Sequence, residues 1–222
     1  MNKYKTCIAI LCWNDYRGRL KRTVDSFWKH NGHSWDADTI VWDNTDAGTG
    51  EDRGYIDGLP FQVFREGDGE NIGVQDGTIK LWDICSSLGY EYILNLQDDF
   101  PSIAKTRVKR AISLLKSRPD IGCIKLNDKK DRKRNIATKE KIRKKFITHK
   151  SERFMISNLH FTLNPTIMRT DLANIMRGSK SEIVMMEKYN KKYKLRAQLV
   201  NPTFKTVIVK RRDGWRRRKK GE

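Results

Sequence analysis

The sequence predicts an α/β domain built on a mostly parallel sheet with flanking helices. Two observations carry that class. Short apolar runs of strand length alternate with amphipathic, helix-length segments through the first 126 residues. Three of those runs stop at acidic, turn-forming residues, which is where a parallel sheet opens toward a ligand.

Lys5–Trp13 (KTCIAILCW) is the first buried strand. Asn14 and Asp15 cap a helix whose apolar positions Leu20, Val24 and Phe27 recur at helical spacing, and Asn31-Gly32 ends it. Thr39–Trp42 is the second strand and runs into the polar loop Asp43–Gly48. Phe61–Phe64 is short strand material. A glycine-rich, acidic stretch over Gly67–Gly77 then leads into a helix over Thr78–Cys85. Glu91–Leu96 forms the fourth strand and stops at Gln97-Asp98-Asp99. Val108, Ala111, Leu114 and Leu115 describe an amphipathic helix, and Ile121–Leu126 is the next strand.

The second half is less regular. Asp128–Lys150 holds 11 Lys/Arg against three acids, which predicts a loop or a solvated helical excursion. Phe154–Ile167 returns to apolar character with Asn164-Pro165 as a turn. Thr170-Asp171 opens a helix through Met176, Ser181 caps another through Tyr193, and Val200–Val209 supplies strand material. The tail Lys210–Lys220 is basic with one Trp, a composition expected to stay partly unfolded until bound.

Charge divides the chain in the same place. The 222 residues carry 46 Lys+Arg and 27 Asp+Glu, a formal +19, but residues 1–111 sum to −3 (14 minus 17) and residues 112–222 to +22 (32 minus 10). A near-neutral half joined to a strongly basic one predicts two tasks: residues 1–126 bind one ligand, and residues 127–222 face a polyanion or an anionic surface.

Other classes lose support. No stretch approaches the ~20 apolar residues of a membrane-spanning helix, and the N-terminus does not read as a signal peptide, so a cytoplasmic location is expected. Cys7, Cys12, Cys85 and Cys123 form no CxxC pair and are expected as buried free thiols. His30 and His33 have no third ligand nearby for a metal. A nucleotidyltransferase is unsupported, since no lysine-bearing glycine-rich phosphate loop occurs.

The chemistry lies at the strand ends. Asp15 follows the first strand, Asp43 and Asp46 the second, and Asp98-Asp99 the fourth. One such Asp usually only caps a helix, but three converging on one rim can receive a ligand. Adjacent Asp98 and Asp99 repel each other, and a hard divalent cation, Mg²⁺ or Mn²⁺, would offset that while bridging to substrate phosphates. Taken alone, the pair also fits two solvated turn aspartates.

These segments, in order, resemble the family-2-type glycosyltransferases with the GT-A fold. CIAILCWNDYRGRLKRTVDSF is similar to the family's opening strand and helix, and TIVWDNTDAGTGE to its nucleoside-side loop. ENIGVQDGTIKLWDIC resembles the segment before the nucleotide-side helix, and YILNLQDDF the strand ending in the acidic triplet. The resemblance implies a GT-A-like, mostly parallel nucleotide-binding sheet with a basic acceptor-side half. It also implies sugar transfer from a nucleotide-diphosphate donor with inversion.

Carried over, Asp43 lies by the base or ribose with Asp46 and Asp15 on the same donor side, and Asn71 and Gly73 pass close to the nucleotide. Asp99 ligates the metal, and Asp98 contacts ribose or a metal-bound water. Gln97 departs from the triplet's first acid, which puts strict metal dependence in question. The catalytic base the family implies is assigned to Glu187, with Glu182 and Asp171 in reserve. Glu187 also fits a plain helix-surface pair with Lys191 at i+4. HFTLNPTIMRTDL resembles the acceptor-side strand and turn, so Asn164 and Arg169 would line the cleft.

The resemblance leaves the acceptor open. The basic loop (Lys144, Lys145) and tail (Arg211, Trp215, Arg216, Arg217) favour a polyphosphate. The first expectation is DNA carrying hydroxymethylated pyrimidines, as in bacteriophage-type enzymes, with the target base flipped out of the duplex or single-stranded. A peripheral membrane glycosyltransferase using lipid-linked or lipooligosaccharide acceptors on an anionic surface is one alternative. A non-catalytic nucleic-acid-binding protein is the other.

Overall fold

A computed structural model describes residues 5–13, 18–32, 37–45, 53–127, 140–158, 163 and 165–205. It contains β1 (Thr6–Cys12), α1 (Arg19–Asn31), β2 (Asp38–Asp43), α2 (Arg53–Asp57), β3 (Gln62–Phe64), α3 (Gly73–Ser87), β4 (Tyr92–Gln97), α4 (Val108–Ser117) and β5 (Ile121–Lys125). There follow β6 (Lys144–His149), β7 (Glu152–Ser157), β8 (Thr166–Arg169), α5 (Asp171–Met176), α6 (Glu182–Lys192) and β9 (Leu195–Leu199). All nine strands join one sheet in the order β3-β2-β1-β4-β8-β5-β9-β7-β6, so the two halves of the sequence share it.

The sheet is mixed, which corrects the expectation of a mostly parallel one. Of eight ladders, β1–β2, β1–β4, β2–β3 and β5–β9 are parallel, and β4–β8, β5–β8, β6–β7 and β7–β9 are antiparallel. Two reversed strands, β8 and β7, account for every antiparallel ladder. β7 is reversed because it closes a hairpin with β6, whose turn residues Lys150 and Ser151 both have positive φ (46° and 63°).

Helices cover both faces. β1 is buried at all seven positions, as a central strand between two layers must be. One layer packs Leu20, Val24 and Phe27 of α1 and Val108, Ala111, Ile112 and Leu115 of α4 against the sheet, each set at helical spacing. The other packs α3, α5 and α6 through Trp82, Met176, Met185 and Tyr189. Each fully buried large apolar side chain there contributes about 1.5–3 kcal/mol. Gly77 lets α3 approach the sheet, since a Cβ there would sit 3.1 Å from Leu11 and Trp42. Trp82 donates its indole N–H to the side-chain carboxamide oxygen of Asn95 on β4 (2.9 Å), satisfying a polar pair inside this layer.

The basic segment after Asp128 holds an edge hairpin, β6–β7, in its described part instead of the expected loop or helix. Strand β9 precedes the expected Val200–Val209, because Ala197 and Leu199 face the core while Arg196 and Gln198 alternate with them. Phe204 anchors residues beyond β9 by stacking on Phe27 at 6.4 Å. All four cysteines are buried and free. Among the described residues no helix is long and apolar enough to cross a membrane.

Candidate active site

The carboxyl ends of β1, β2 and β4 form one rim. The register pairs Cys12 with Asp43 on one side of β1 and Leu11 with Gln97 on the other. The backbone stitches the rim past the strand ends: Asn44 N–H donates to the Cys12 carbonyl (2.9 Å) and Asp98 N–H to the Leu11 carbonyl (3.1 Å). Asp43 and the Asp98-Asp99 pair therefore flank the end of β1 about two strand spacings apart, roughly 10 Å.

Their environments differ. Asp43 is fully buried, and its carboxylate accepts from Arg65 Nε (2.8 Å), the Thr45 N–H (3.1 Å) and the Cys12 thiol (3.6 Å). Arg65 spans onward to Asp57 at the end of α2 (2.5 Å). Burial pulls the Arg65 pKa down, but the bonds to Asp57 and Asp43 outweigh it and the guanidinium titrates above its usual range. Asp43 thus holds Arg65 on the rim, and Arg65 is the group with solvent access.

Asp98 is likewise pinned inward. Its carboxylate accepts the Trp13 N–H (3.3 Å) and pairs with Arg19 (3.4 Å), while its carbonyl accepts the Thr23 hydroxyl (2.7 Å). Asp99, one residue on, is only partly buried. Of the adjacent pair, Asp99 is the more exposed.

Asn71 and Gly73 lie on the nucleotide side of this rim. The Asn71 carboxamide oxygen accepts from Asn44 Nδ2 (2.9 Å) and from the Gly73 N–H (2.9 Å), while Asn44 accepts the Ile72 N–H (3.0 Å). This clasp fixes the start of α3 beside the end of β2. Gly73 has φ +85°, a conformation that glycine alone adopts cheaply.

The base candidates separate by direction. Strand β9 runs parallel to β5, so α6, which precedes it, descends from the carboxyl-end rim toward the opposite edge. Gln75 in the first turn of α3 donates to the Ser179 carbonyl (2.5 Å), which holds the start of α6 at the rim. Ser181 caps α6 as expected, accepting the Val184 N–H (3.3 Å), and exposed Glu182 is in the first turn. Glu187 is exposed and about 7.5 Å further down the helix axis.

Asp171 is not at the rim. It follows β8, which runs against β4, and its carboxylate accepts the Tyr193 hydroxyl (2.6 Å) at the opposite edge. Burial first, then that bond, pushes the Tyr193 hydroxyl well above its usual range. Arg169 is corrected for the same reason. It pairs with Tyr92 at the start of β4, about 20 Å along that strand from Asp98, and donates to the Ile121 and Leu115 carbonyls. Reversal of β8 carries it away from the cleft.

Lys144 and Lys145 are exposed on β6, the edge strand five places from β4. Asp15, Asp46, Asn164, Arg211, Trp215, Arg216 and Arg217 lie outside the described residues.

Some rim residues escaped the sequence. Arg65 directly follows the expected strand Phe61–Phe64, and a cation one residue past a strand beside an Asp-ended neighbour was the available signal. Asn95, Thr166, Lys125 and Gln198 pair directly across β4, β8, β5 and β9. Asn127, two residues past β5's end, is fully buried, and its carboxamide atoms, Thr166 Oγ1 and Gln198 Oε1 make no hydrogen bond. Unsatisfied buried polar atoms of this kind suit a hydroxyl-rich ligand or water.

A metal fits here in one way. Among the described residues no three His, Cys, Asp or Glu side chains gather as a cage. The part-exposed Asp99 suits Mg²⁺ or Mn²⁺ bound mainly by diphosphate and water.

No family model and no curated protein matches this sequence. Solved structures do match its fold. S. aureus TarS 1-349 in complex with UDP-GlcNAc superposes with a TM-score of 0.57 at 14% identity, covering 94% of this chain and 59% of that one. The mannosyltransferase PcManGT from Pyrobaculum calidifontis, in complex with GDP-Man and Mn²⁺, gives 0.58 at 13% identity, covering 93% and 58%. GalNAc-T7 with UDP, GalNAc and Mn²⁺ gives 0.54 at 11%, covering 90% and 43%. All three are GT-A-type glycosyltransferases. At these identities the likeness shows the fold, and this chain spans at most about three fifths of each neighbour's length.

Proposed function

We propose that this chain is a metal-assisted, inverting glycosyltransferase that moves a sugar from a nucleotide-diphosphate donor to a hydroxyl of a polyanionic acceptor. One observation carries it: on a GT-A-type fold, the adjacent Asp98 and Asp99 follow β4 at the carboxyl-end rim, Asp98 buried and Asp99 part-exposed. Residues 1–126 supply the donor half and residues 127–222 the basic acceptor half. Arg65, held by Asp43, faces the nucleoside, while the Asn44–Asn71 clasp sets the start of α3 against the diphosphate.

Asp99 would hold Mg²⁺ or Mn²⁺, which supplies charge stabilisation to the departing diphosphate. The acceptor hydroxyl loses its proton to a carboxylate as its oxygen attacks the anomeric carbon from the face opposite the diphosphate. The geometry favours Glu182 over Glu187 for that base, because the first turn of α6 stands at the rim. The acceptor favoured by the basic half, a net +22 over residues 112–222, is DNA bearing hydroxymethylated pyrimidines. The test is a panel of nucleotide sugars incubated with Mn²⁺ or Mg²⁺, with and without such DNA. Mass spectrometry should find nucleoside diphosphate released and a sugar's mass added to DNA. Release without DNA modification, with glycan added to a lipid-linked acceptor on anionic vesicles, would replace the DNA reading. No release with any donor would sink the transferase itself.

A further inference from the structure

The hairpin β6–β7 is the feature that the rim chemistry leaves unused. Between Glu140 and Ser157 it carries six Lys/Arg and two Glu, a net +4. Both acids are engaged: Glu152 accepts from Arg107 (3.0 Å) and Arg110 (3.4 Å) on the α4 side, and Glu140 accepts from Asn158 (3.2 Å).

Lysines on an edge strand have an ordinary purpose, since they discourage edge-to-edge pairing. Phe146 has no such purpose. It is 53% exposed, and an exposed aromatic on an edge strand makes unwanted association worse. Its ring lies 5.0 Å from the Arg153 guanidinium carbon, so a cation and an aromatic plane sit together on open sheet surface. Register places Phe146 opposite Met155, in the cross-sheet row that continues through Gln198 and Lys125 toward Asn95 on β4.

We infer that this hairpin face is an anchoring site for single-stranded nucleic acid, separate from the reaction centre. Phe146 stacks on a base, while Arg153 and Lys144, on the same side of the sheet by register, contact phosphates. A flat, exposed aromatic meets unpaired bases, which offer their faces, and not a duplex, which hides them. Five strand spacings separate β6 from β4, about 24 Å. The site therefore holds a distant part of a polymeric acceptor while another part reacts at the rim. The inference rests on the proposed activity for its purpose, but the binding itself needs no donor and no turnover.

The test is fluorescence anisotropy of a labelled oligothymidylate over a salt series with the full chain. Phe146→Ala should weaken binding about tenfold at fixed salt and leave the salt slope unchanged, whereas Phe146→Tyr should bind normally. Lys144→Gln should flatten the slope by about 0.7, the loss of one phosphate contact. Thermal unfolding of each variant should match the wild type, because these side chains are exposed. Equal affinity of wild type and Phe146→Ala would overturn the site, as would a duplex that loses affinity as much as the single strand. Anionic phosphatidylserine vesicles whose binding needs Phe146, with oligothymidylate indifferent to it, would overturn it in favour of a membrane surface. Binding that behaves as expected while no sugar is ever transferred would leave the site standing and remove the transferase. Transfer to a short acceptor, with no effect of Phe146 on binding, would do the reverse.

Discussion

Replacing Arg65 by Met is the most informative single change at the rim. Asp43 is fully buried and its best partner is the Arg65 guanidinium at 2.8 Å. Methionine keeps much of the side-chain bulk and removes the charge. The carboxylate would retain the Thr45 N–H at 3.1 Å and the weak Cys12 thiol donor at 3.6 Å. Removing one partner of a buried ion pair costs about 3–5 kcal/mol. Arg65 is itself 24% exposed, so water can reach part of the gap, which places the loss near 3 kcal/mol. In a chain of this size each kcal/mol lowers Tm by about 2–4 °C, so a fall of roughly 6–12 °C is expected. The companion Arg65→Met/Asp43→Asn removes the stranded charge and should recover at least about half of that loss. Asp57→Asn should cost at most about 1 kcal/mol, because Asp57 is mostly solvated. Urea and thermal unfolding of the three variants supply the comparison. Arg65→Met within about 0.5 kcal/mol of wild type, or a double variant less stable than the single, would refute the assignment of Asp43 as an anchored structural carboxylate.

Asp99→Asn should abolish most metal-stimulated nucleoside diphosphate release, and unchanged turnover would remove Asp99 from the metal. Glu182→Gln should slow transfer by about 10²–10⁴-fold with donor affinity intact, while Glu187→Gln should be nearly silent, and steady-state rates with donor titrations separate the two. Gly122→Ala should destabilise by about 1–3 kcal/mol in urea unfolding, since the new Cβ would lie 2.6 Å from the Tyr193 ring that closes α6 onto β5. The Arg118 hydrogen bond holds the Asp120 carboxyl below its usual range, so the pair stabilises the fold above the ordinary Asp pKa and that contribution is lost as pH falls through the lowered one. Arg118→Gln should bring Asp120 back to the ordinary range in an NMR titration, with at most about 1 kcal/mol lost because the pair is exposed.

The first half of the fold was legible because its strands are buried on both faces. Such strands read as continuous apolar runs, and β1, β2, β4 and β5 sit within a residue or two of where the runs place them. The helix before β4 was foreseen only over Thr78–Cys85, because the first turn of α3 is glycine-rich and held by the side chains of Asn44 and Asn71. Helix α2 was missed altogether, being five residues long with Ile56 as its one fully buried side chain. In the second half β6 and β9 hid for a different reason. One side of each carries Lys, Arg or Gln, so neither gives an apolar run, and β6 is an edge strand whose apolar content reduces to Phe146 and Ile147.

The direction of a strand decided which site residues could be foreseen. Residues at the ends of β1, β2 and β4 share a rim because those strands are parallel, so an Asp past the β2 and β4 runs marks one sheet edge. The same reasoning applied to β8 sends Arg169 and Asp171 to the wrong edge, since nothing in TIMRTD reveals that the strand runs backward between β4 and β5. Reversal also explains why α6 matters. With β8 descending from the rim and β9 rising to it, the chain must return upward through α5 and the Ser179 turn before α6 descends again. That return brings Ser181 and Glu182 beside the start of α3, where Gln75 meets the Ser179 carbonyl. A carboxylate chosen by its distance from Asp99 in sequence falls on Glu187. One chosen by the path of the chain falls on Glu182, at the rim end of that helix, beside the start of α3.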